Sequence, residues 1–326
     1  MANIVLGIGS SHTPMLSTPP DKWSWHAERD AVYQLLGTDG EYHTFDELVR
    51  AAPPTIAKEI TPEKFQQRFE ASQRALARLG QAVDQASPDV LVIVGDDQEE
   101  LFHVDNMPAF SVYWGDFIFS CKPDPEGKSR ALEVSSWGQY PDEPTEYPAE
   151  PSLGRHIIER LIEDCFDVAH SREQHEGQPM SHAFTFVHRR LLTGRIIPAV
   201  PVWINTYYPP NQPRVGRCLE FGRSLRRAIE SWDPGKRVCV LASGGLSHFV
   251  IDEQLDQTVL AALRDKDYQT LTSLAESRLR SGNSETKNWA ALLGAVEHLD
   301  MQWSEYVPGY RSLAGTGCAM AFGVWS

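Results

Sequence analysis

Two histidines follow apolar runs in widely separated parts of this sequence. The run "NIVLGIG" leads into "SSHTP", which carries His12, and "RVCVLAS" leads through "GGLSH" to His248. A histidine that only fills a core needs no glycine pair before it, whereas glycines let the backbone turn sharply and let another group approach closely. Because imidazole binds metals and exchanges protons near neutral pH, the pattern favours one shared site built from both segments.

Carboxylates occur at comparable places. Glu285, in "SGNSETKNW", opens a predicted helix, and the stretch "DDQEE" at 96–100 directly follows the apolar run "DVLVIVG". A glutamate in a first helical turn is commonly a capping residue, and a charge run is commonly a solvated loop. Combined with His12, however, Glu285 supplies a donor set typical of a metal site. A serine hydrolase built on Ser247 is disfavoured, because adjacent residues such as Ser247 and His248 seldom face each other as nucleophile and base.

The elements that position these residues alternate between strands and helices. Buried strands are predicted, from apolar runs without alternation, at 4–9, 89–95, 196–205, 237–243 and 318–325. Helices are predicted, from amphipathic spacing, at 62–86, 152–164, 214–231, 253–279 and 285–299. This order predicts an α/β fold with a mainly parallel or mixed central sheet flanked by helices. Ligands of such sheets bind beyond the carboxyl ends of the strands, so we expect the site there.

The domain organisation is predicted to be simple. We expect one catalytic domain over residues 1–326, with an inserted lid-like segment at about 17–87. Its first part, 17–61, mixes Trp, His and Pro without a sustained period, and a second irregular stretch at 121–150 is Pro-rich and acidic. Loops of this length inside a compact domain are usually lids, binding loops or disordered segments.

Composition excludes several classes of function. The 326 residues carry a formal net charge of -14, so no basic stripe is available for nucleic acid or an anionic membrane. Five scattered cysteines without paired spacing favour a reducing cytoplasm. The N-terminus lacks the basic region of a signal peptide, and no apolar run approaches the length of a membrane span. We therefore expect a cytoplasmic protein whose partners are small molecules.

Five segments then occur in a distinctive order. They read "GIGSSHTPML", "PDVLVIVGDDQEELFHVDNMPAF", "NTYYPP", "ASGGLSHFV" and "SGNSETKNW". In this order they resemble the catalytic subunit of class III extradiol ring-cleavage dioxygenases, with protocatechuate 4,5-dioxygenase and the gallate dioxygenases as the nearest types. The resemblance runs from residue 3 to the terminal "GTGCAMAFGVW". It implies a non-haem Fe(II) enzyme that cleaves a catechol- or gallate-like phenolic acid with O2.

The resemblance also implies roles for individual residues. His12 and Glu285 match iron ligands of the family, and His248 matches its catalytic acid/base. His182, in "PMSHAF", falls near a further active-site histidine, for which we expect a proton-relay or substrate-binding role. An iron face of two histidines and one carboxylate leaves positions for both catechol oxygens and for O2. Further substrate-binding candidates are Tyr207, Tyr208 and Ser247.

One position departs from the family pattern. The second iron histidine of the family lies in an Asp-His pair, which here reads Asp97–Gln98. Three explanations stay open. Gln98 itself binds the metal, through an amide oxygen that is a weaker donor than imidazole; or a histidine from elsewhere, His43 or His103, takes its place; or iron binding is lost.

Other side chains are candidates for the pocket wall. Trp23 and Trp25 could sandwich a phenolic ring, and Arg189 and Arg190 could pair with a substrate carboxylate, although packing and surface roles are the commoner outcomes. Two rival functions are a non-oxygenase relative that binds a small aromatic or a partner protein, and a metal-dependent hydrolase or lyase. The sequence leaves open a homo-oligomer or a small accessory subunit.

Overall fold

The computed structural model describes residues 1–124, 129–232 and 235–326, and within them thirteen strands and ten α-helices. Strands occupy Asn3–Ser10 (β1), Leu35–Leu36 (β2), Tyr42–His43 (β3), Val90–Gly95 (β4), Phe110–Tyr113 (β5), Phe117–Ser120 (β6), Thr145–Pro148 (β7), Ala169–Ser171 (β8), Ala199–Ile204 (β9), Arg237–Ser243 (β10), His248–Val250 (β11), Met301–Tyr310 (β12) and Thr316–Trp325 (β13). Helices occupy Ser24–Asp30 (α1), Phe45–Ala51 (α2), Pro62–Ala86 (α3), Arg130–Ser135 (α4), Pro151–Glu163 (α5), His182–Phe186 (α6), Val215–Glu230 (α7), Glu253–Asp265 (α8), Tyr268–Thr272 (α9) and Thr286–Val296 (α10). Residues 125–128 of the acidic stretch at 121–150 lie outside the described residues.

A nine-stranded mixed sheet forms the centre of the fold. Eight strands follow the order β11-β13-β1-β10-β4-β9-β5-β8. The ninth strand, β12, lies outside this order and pairs with β13. The four adjacent strands β1, β10, β4 and β9 are mutually parallel, whereas β13 runs antiparallel to β1 and β5 runs antiparallel to β9. The predicted α/β fold with a mixed central sheet is confirmed.

The parallel strands are buried on both faces, which explains their continuous apolar runs. In β4, Val92 and Val94 contribute to one hydrophobic core, and Leu91 and Ile93 contribute to the other. The first core also contains buried residues of α5, α7, α8 and α10, and the second contains those of α3 and α6. Because successive side chains of a strand point to opposite faces, a strand covered on both sides has no polar face.

The long helix α3 begins and ends at the residues that the sequence predicts. The Thr61 side chain caps it by accepting from the Lys64 amide, Pro62 occupies its first turn, and its apolar face packs on the sheet. This part of the predicted insertion therefore packs on the sheet as a core helix, and the lid-like role of the segment at about 17–87 stays a prediction. The helix predicted at 253–279 is instead divided, because Lys266 adopts a left-handed conformation and the Asp267 side chain caps α9. Within the described residues, no helix is both long and apolar enough to cross a membrane.

Candidate active site

Four neighbouring parallel strands deliver the site residues at one edge of the sheet. Strand β1 ends at Ser10, two residues before His12, and β4 ends at Gly95, directly before Asp96. Strand β10 ends at Ser243, directly before the glycine pair Gly244–Gly245. Strand β9 ends at Ile204, three residues before Tyr207. Since parallel strands end on the same side, residues more than two hundred positions apart in the sequence become neighbours.

His12 is held with one ring nitrogen available. It is buried, and its Nδ1 lies 3.0 Å from the Ser243 hydroxyl. That hydroxyl gives its proton to the carbonyl oxygen of Ala183 at 2.6 Å, so it accepts from His12 and Nδ1 carries the proton. The unprotonated Nε2 then lies 3.7 Å from Oε2 of Glu285. Burial lowers the pKa of His12, which favours this neutral form.

Glu285 is the central acceptor of the site. It is the last residue of the short 3-10 helix Ser281–Glu285, which precedes α10. Its Oε2 accepts from the Gly245 amide at 2.5 Å, and a Cβ at Gly244 would lie 3.1 Å from the Cβ of Glu285. The glycine pair of "GGLSH" thus makes room for this carboxylate. Burial alone would raise the pKa of Glu285, but the positive charge of the neighbouring His248 holds it well below its ordinary value.

Asp96 completes a cluster that sequence reasoning missed. It is fully buried, and ligand atoms of His12, Asp96 and Glu285 all lie within 4.8 Å of one another. Its Oδ1 accepts from the side-chain amide of Asn288 at 3.0 Å. Burial, followed by the negative charge of Glu285, raises its pKa well above the ordinary value. Its position directly after a predicted strand could have indicated a role in the site. It was overlooked because Asp96 belongs to a run of charged residues, which commonly forms a solvated loop.

The two buried carboxylates lack a permanent cation. Within the described ranges, no lysine or arginine forms an ion pair with Asp96 or Glu285. Burying charged groups is unfavourable unless a counter-charge compensates them. Two carboxylates beside an unprotonated imidazole nitrogen therefore form a donor set that fits a divalent metal ion.

Gln98 lies beside this cluster and faces it with its amide nitrogen. Its Nε2 lies 3.4 Å from Oδ2 of Asp96 and 3.5 Å from Oε1 of Glu285. His43 pairs instead with Asp39 in the β2–β3 hairpin, and His103 is an exposed loop residue. Among the described residues that line the cavity, neither of these histidines appears.

His248 lies on the other side of Glu285. Its Nδ1 donates to the carbonyl oxygen of Leu246 at 2.9 Å, which leaves Nε2 as the position that exchanges a proton. Nε2 lies 3.1 Å from Oε1 of Glu285 and 3.2 Å from the Tyr207 hydroxyl. Gly282 permits this placement, since a Cβ there would lie 2.3 Å from Cδ2 of His248. Burial lowers the pKa of His248, but the charge of Glu285 outweighs burial and raises it overall.

Tyr207 is a fixed hydrogen-bond donor. Its hydroxyl donates to Oε1 of Glu285 at 2.9 Å. Burial and the neighbouring carboxylate raise its pKa well above the ordinary value, so the phenol keeps its proton. Tyr207 therefore connects Glu285 to His248 at the end of β9.

His182 forms a second acid/base unit beside His12. The two rings meet edge to face with centroids 4.6 Å apart. His182 Nδ1 lies 2.8 Å from Oε2 of Glu100, whose Oε1 accepts from Tyr140 at 2.9 Å. Burial lowers the pKa of His182, but the carboxylate of Glu100 outweighs it and raises that pKa to about 9. His182 is therefore a cation at neutral pH.

These groups open onto one cavity of about 480 Å³, a size that suits a small ligand. The described residues lining it include His12, Gln98, His182, Tyr207, His248 and Glu285. The insertion contributes His26 and Arg29 from α1, and the acidic stretch contributes Pro123, Leu132 of α4, Ser136, Gln139 and Tyr140. The cavity therefore collects six of the eight residues for which the sequence predicts a metal-binding, catalytic or substrate-binding role.

Several candidates lie elsewhere. Trp23 is buried against Phe65, with ring centroids 5.6 Å apart, and Trp25 lies between Lys22 and Arg130. Among the described residues lining the cavity, neither tryptophan appears. Both are packing residues.

Tyr208 and Ser247 also do not appear among the described lining residues. The Tyr208 ring lies 6.0 Å from that of Tyr207, between centroids. Ser247 is fully buried and donates to Oδ2 of Asp256 at 2.6 Å, while it accepts from the Asp252 amide at 2.7 Å. The hydroxyl of Ser247 is therefore engaged in the fold.

Buried carboxylates and an imidazole on a cavity wall, with a second imidazole beside them, are typical of metal-dependent enzymes. Comparison with known proteins gives the family. Residues 49–321 match the family described as the catalytic LigB subunit of aromatic ring-opening dioxygenase, so this chain belongs to that family. The predicted resemblance is confirmed. Asp96, Gln98, His248 and Glu285 lie within the matched region, and His12 precedes it.

Relatives with assigned activities match parts of the chain. A gallate dioxygenase from Pseudomonas putida is 34% identical over 158 residues, which are 44% of this chain and 45% of the relative. A 2,3-dihydroxyphenylpropionate/2,3-dihydroxicinnamic acid 1,2-dioxygenase from Photorhabdus laumondii is 28% identical over 199 residues, 60% of this chain and 51% of the relative. A dioxygenase of the same name from Azotobacter vinelandii is 29% identical over 175 residues, which are 53% of this chain and 48% of the relative. The chain spans about half the length of these curated relatives.

Proposed function

We propose that this protein is an Fe(II)-dependent extradiol dioxygenase that opens the ring of a catechol- or gallate-like phenolic acid with O2. The observation that carries the proposal is the position of His248, whose exchangeable Nε2 lies 3.1 Å from Glu285 in the same cavity as His12. Family membership and the activities of the relatives support it. One catalytic domain over 1–326, a cytoplasmic location, and a homo-oligomer or accessory subunit stay predictions.

The metal is proposed to bind at His12, Asp96 and Glu285. His12 offers the unprotonated Nε2, and the two carboxylates lie within 4.8 Å of it and of each other. Gln98, the predicted ligand, donates from its amide to both carboxylates, an arrangement that supports ligands from outside. Asp96 is thus the better candidate for the position that a histidine takes in the family. When bound, Fe(II) would supply a Lewis acid for the phenolic oxygens and electrons for the reaction with O2.

His248 is proposed as the general base and acid. Its Nδ1 proton is engaged by Leu246, so a substrate hydroxyl can give its proton only to Nε2, which later returns it. Tyr207 donates to Glu285 and keeps that carboxylate oriented. The cationic His182, anchored by Glu100, is proposed to donate a hydrogen bond to the substrate or to relay a proton. The predicted contacts of Tyr208 and Ser247 with substrate stay untested, and the bonds of Ser247 favour a structural role.

The proposal is tested by loading the protein with Fe(II) without oxygen, adding catecholic acids, and then admitting oxygen. We expect stoichiometric oxygen uptake and a yellow ring-fission product. Metal binding without oxygen uptake, together with release of a hydrolysed or eliminated product, would show a hydrolase or lyase. Binding of a phenolic acid without metal would show a non-oxygenase relative.

A further inference from the structure

The short helix α1 carries an unusual arrangement of charges beside the cavity. Glu28 forms an ion pair with Arg130, and Asp30 forms a buried, two-pronged ion pair with Arg311, at 2.7 and 2.8 Å. Arg29 lies between these two carboxylates in the sequence, and both already have partners. Within the described part of the chain, the guanidinium of Arg29 has no hydrogen bond, ion pair or aromatic partner.

Arg29 is half-buried and lines the same cavity as the proposed metal ligands. Two arginines line it among the described residues, and the other, Arg311, is neutralised by Asp30. The remaining lining includes the carboxylates of Glu100 and Glu285, and the cationic His182, which also lines the cavity, is already paired with Glu100. A cavity with acidic groups, in a protein of formal net charge -14, repels an anion unless a cation compensates locally.

We propose that Arg29 binds the carboxylate of the substrate and so selects phenolic acids over uncharged catechols. This inference rests on the proposed function and assigns a specificity residue to it. A guanidinium presents its N–H groups in a planar fork that matches the two oxygens of a carboxylate. A side chain without a protein partner can form that pair without breaking an existing one.

The two arginines that the sequence analysis named as candidates for this task are engaged elsewhere. Arg190 donates to the carbonyl oxygen of Leu16 at 2.9 Å and to the side chain of Gln73 at 2.6 Å. Arg189 donates to the carbonyl oxygen of Trp137 at 3.1 Å. Among the described residues lining the cavity, neither arginine appears. Arg29 therefore replaces them as the candidate.

The test compares 3,4-dihydroxybenzoate with its methyl ester, which has the same catechol ring but no charge, on the Fe(II)-loaded protein. We expect Arg29→Gln to lower kcat/KM for the acid by about 10- to 100-fold, mainly through KM, because one charged hydrogen-bonded pair is lost. The ester should be turned over equally by wild type and variant. Arg29→Lys, which keeps the charge but not the fork, should lie between them, and Arg50→Gln, an exposed arginine on α2, should behave as wild type.

Equal losses for acid and ester, or no loss for either, would overturn the assignment and leave ring cleavage intact. If the wild type opens neither ring, calorimetry with 3-hydroxybenzoate tests Arg29 separately from catalysis. Wild-type protein should then bind that acid at least about 10-fold more tightly than Arg29→Gln, and equal affinities would overturn the assignment. Thermal unfolding serves as the folding control, since Arg29 has no partner among the described residues to lose.

Discussion

Replacing Asp96 by Asn tests whether this carboxylate binds a metal or only stabilises the fold. Asn has nearly the same shape, and its oxygen can still accept the hydrogen bond from Asn288, so the change removes a charge and the long hydrogen bond from Gln98. Two negative charges within 4.8 Å of each other repel by at least about 3.5 kcal/mol at an effective dielectric constant of about 20. Protonation of Asp96 relieves part of this repulsion, because its pKa is raised. We therefore expect the metal-free variant to be more stable than wild type by about 1–3 kcal/mol at pH 8.

Metal affinity should change in the opposite direction. Losing an outer partner of a metal site lowers affinity by about 10- to 100-fold, so losing a direct carboxylate ligand should lower it by more than about 100-fold. Urea unfolding of the metal-free protein measures the stability, and anaerobic titration with Fe(II) or Co(II) measures the affinity. The expected signature is higher stability together with weaker metal binding.

Asp97→Asn is the matched control. The Asp97 carboxylate accepts from the backbone amides of Glu100, Leu101 and Phe102, and from the Ser181 hydroxyl, so it holds the loop after β4. This variant should lose about 1–3 kcal/mol of stability and keep its metal affinity within a few-fold. If Asp96→Asn behaved like this control, with lower stability and unchanged affinity, Asp96 would be structural and the proposed metal site would be wrong.

Three further outcomes follow from the site. His248→Gln should retain metal binding and lose about 100-fold or more in kcat, measured by oxygen uptake, whereas loss of the metal would make His248 a ligand. Gln98→His should leave Fe(II) affinity unchanged or lower it by up to about 100-fold if Asp96 is the third ligand, because residue 98 then only supports the carboxylates. Marked tightening would instead place residue 98 in the coordination sphere. Burial, with the charges of Arg311 and Arg29, lowers the pKa of His26 to about 3, so the folded state binds fewer protons than the unfolded state between about pH 3 and 6.5. The free energy of unfolding should therefore decrease as the pH falls below about 6.5. In His26→Asn, its slope against pH should be smaller by up to about 1.4 kcal/mol per pH unit. Equal slopes for wild type and variant, measured by urea unfolding at several pH values, would contradict this.

The central strands were predictable because they are buried on both faces. The apolar runs at 4–9, 89–95 and 237–243 correspond closely to β1, β4 and β10. Strand β12 was missed because its burial alternates irregularly and Pro308 interrupts its pattern. Its pairing with β13 is a long-range contact that no local window contains.

The site was predictable in part for the same reason. His12 and His248 follow predicted strands, so their convergence could be expected from the topology, whereas Glu285 was expected there from the resemblance to the family. The burial of Asp96 depends on Glu285 and Asn288, which come almost two hundred residues later in the chain. Arg29 has no ion-pair partner among the described residues because Arg130 and Arg311 pair with the adjacent Glu28 and Asp30. Both are properties of the assembled structure.

Isotope labelling tests the central claim most directly. The Fe(II)-loaded protein is given 3,4-dihydroxybenzoate under ¹⁸O2 in unlabelled water, and the products are analysed by mass spectrometry after short reaction times, before the product exchanges oxygen with solvent. Ring cleavage by a dioxygenase predicts a ring-opened product that contains both atoms of one O2 molecule. A product whose new oxygen comes from water, or an unchanged substrate with the metal bound, would contradict it.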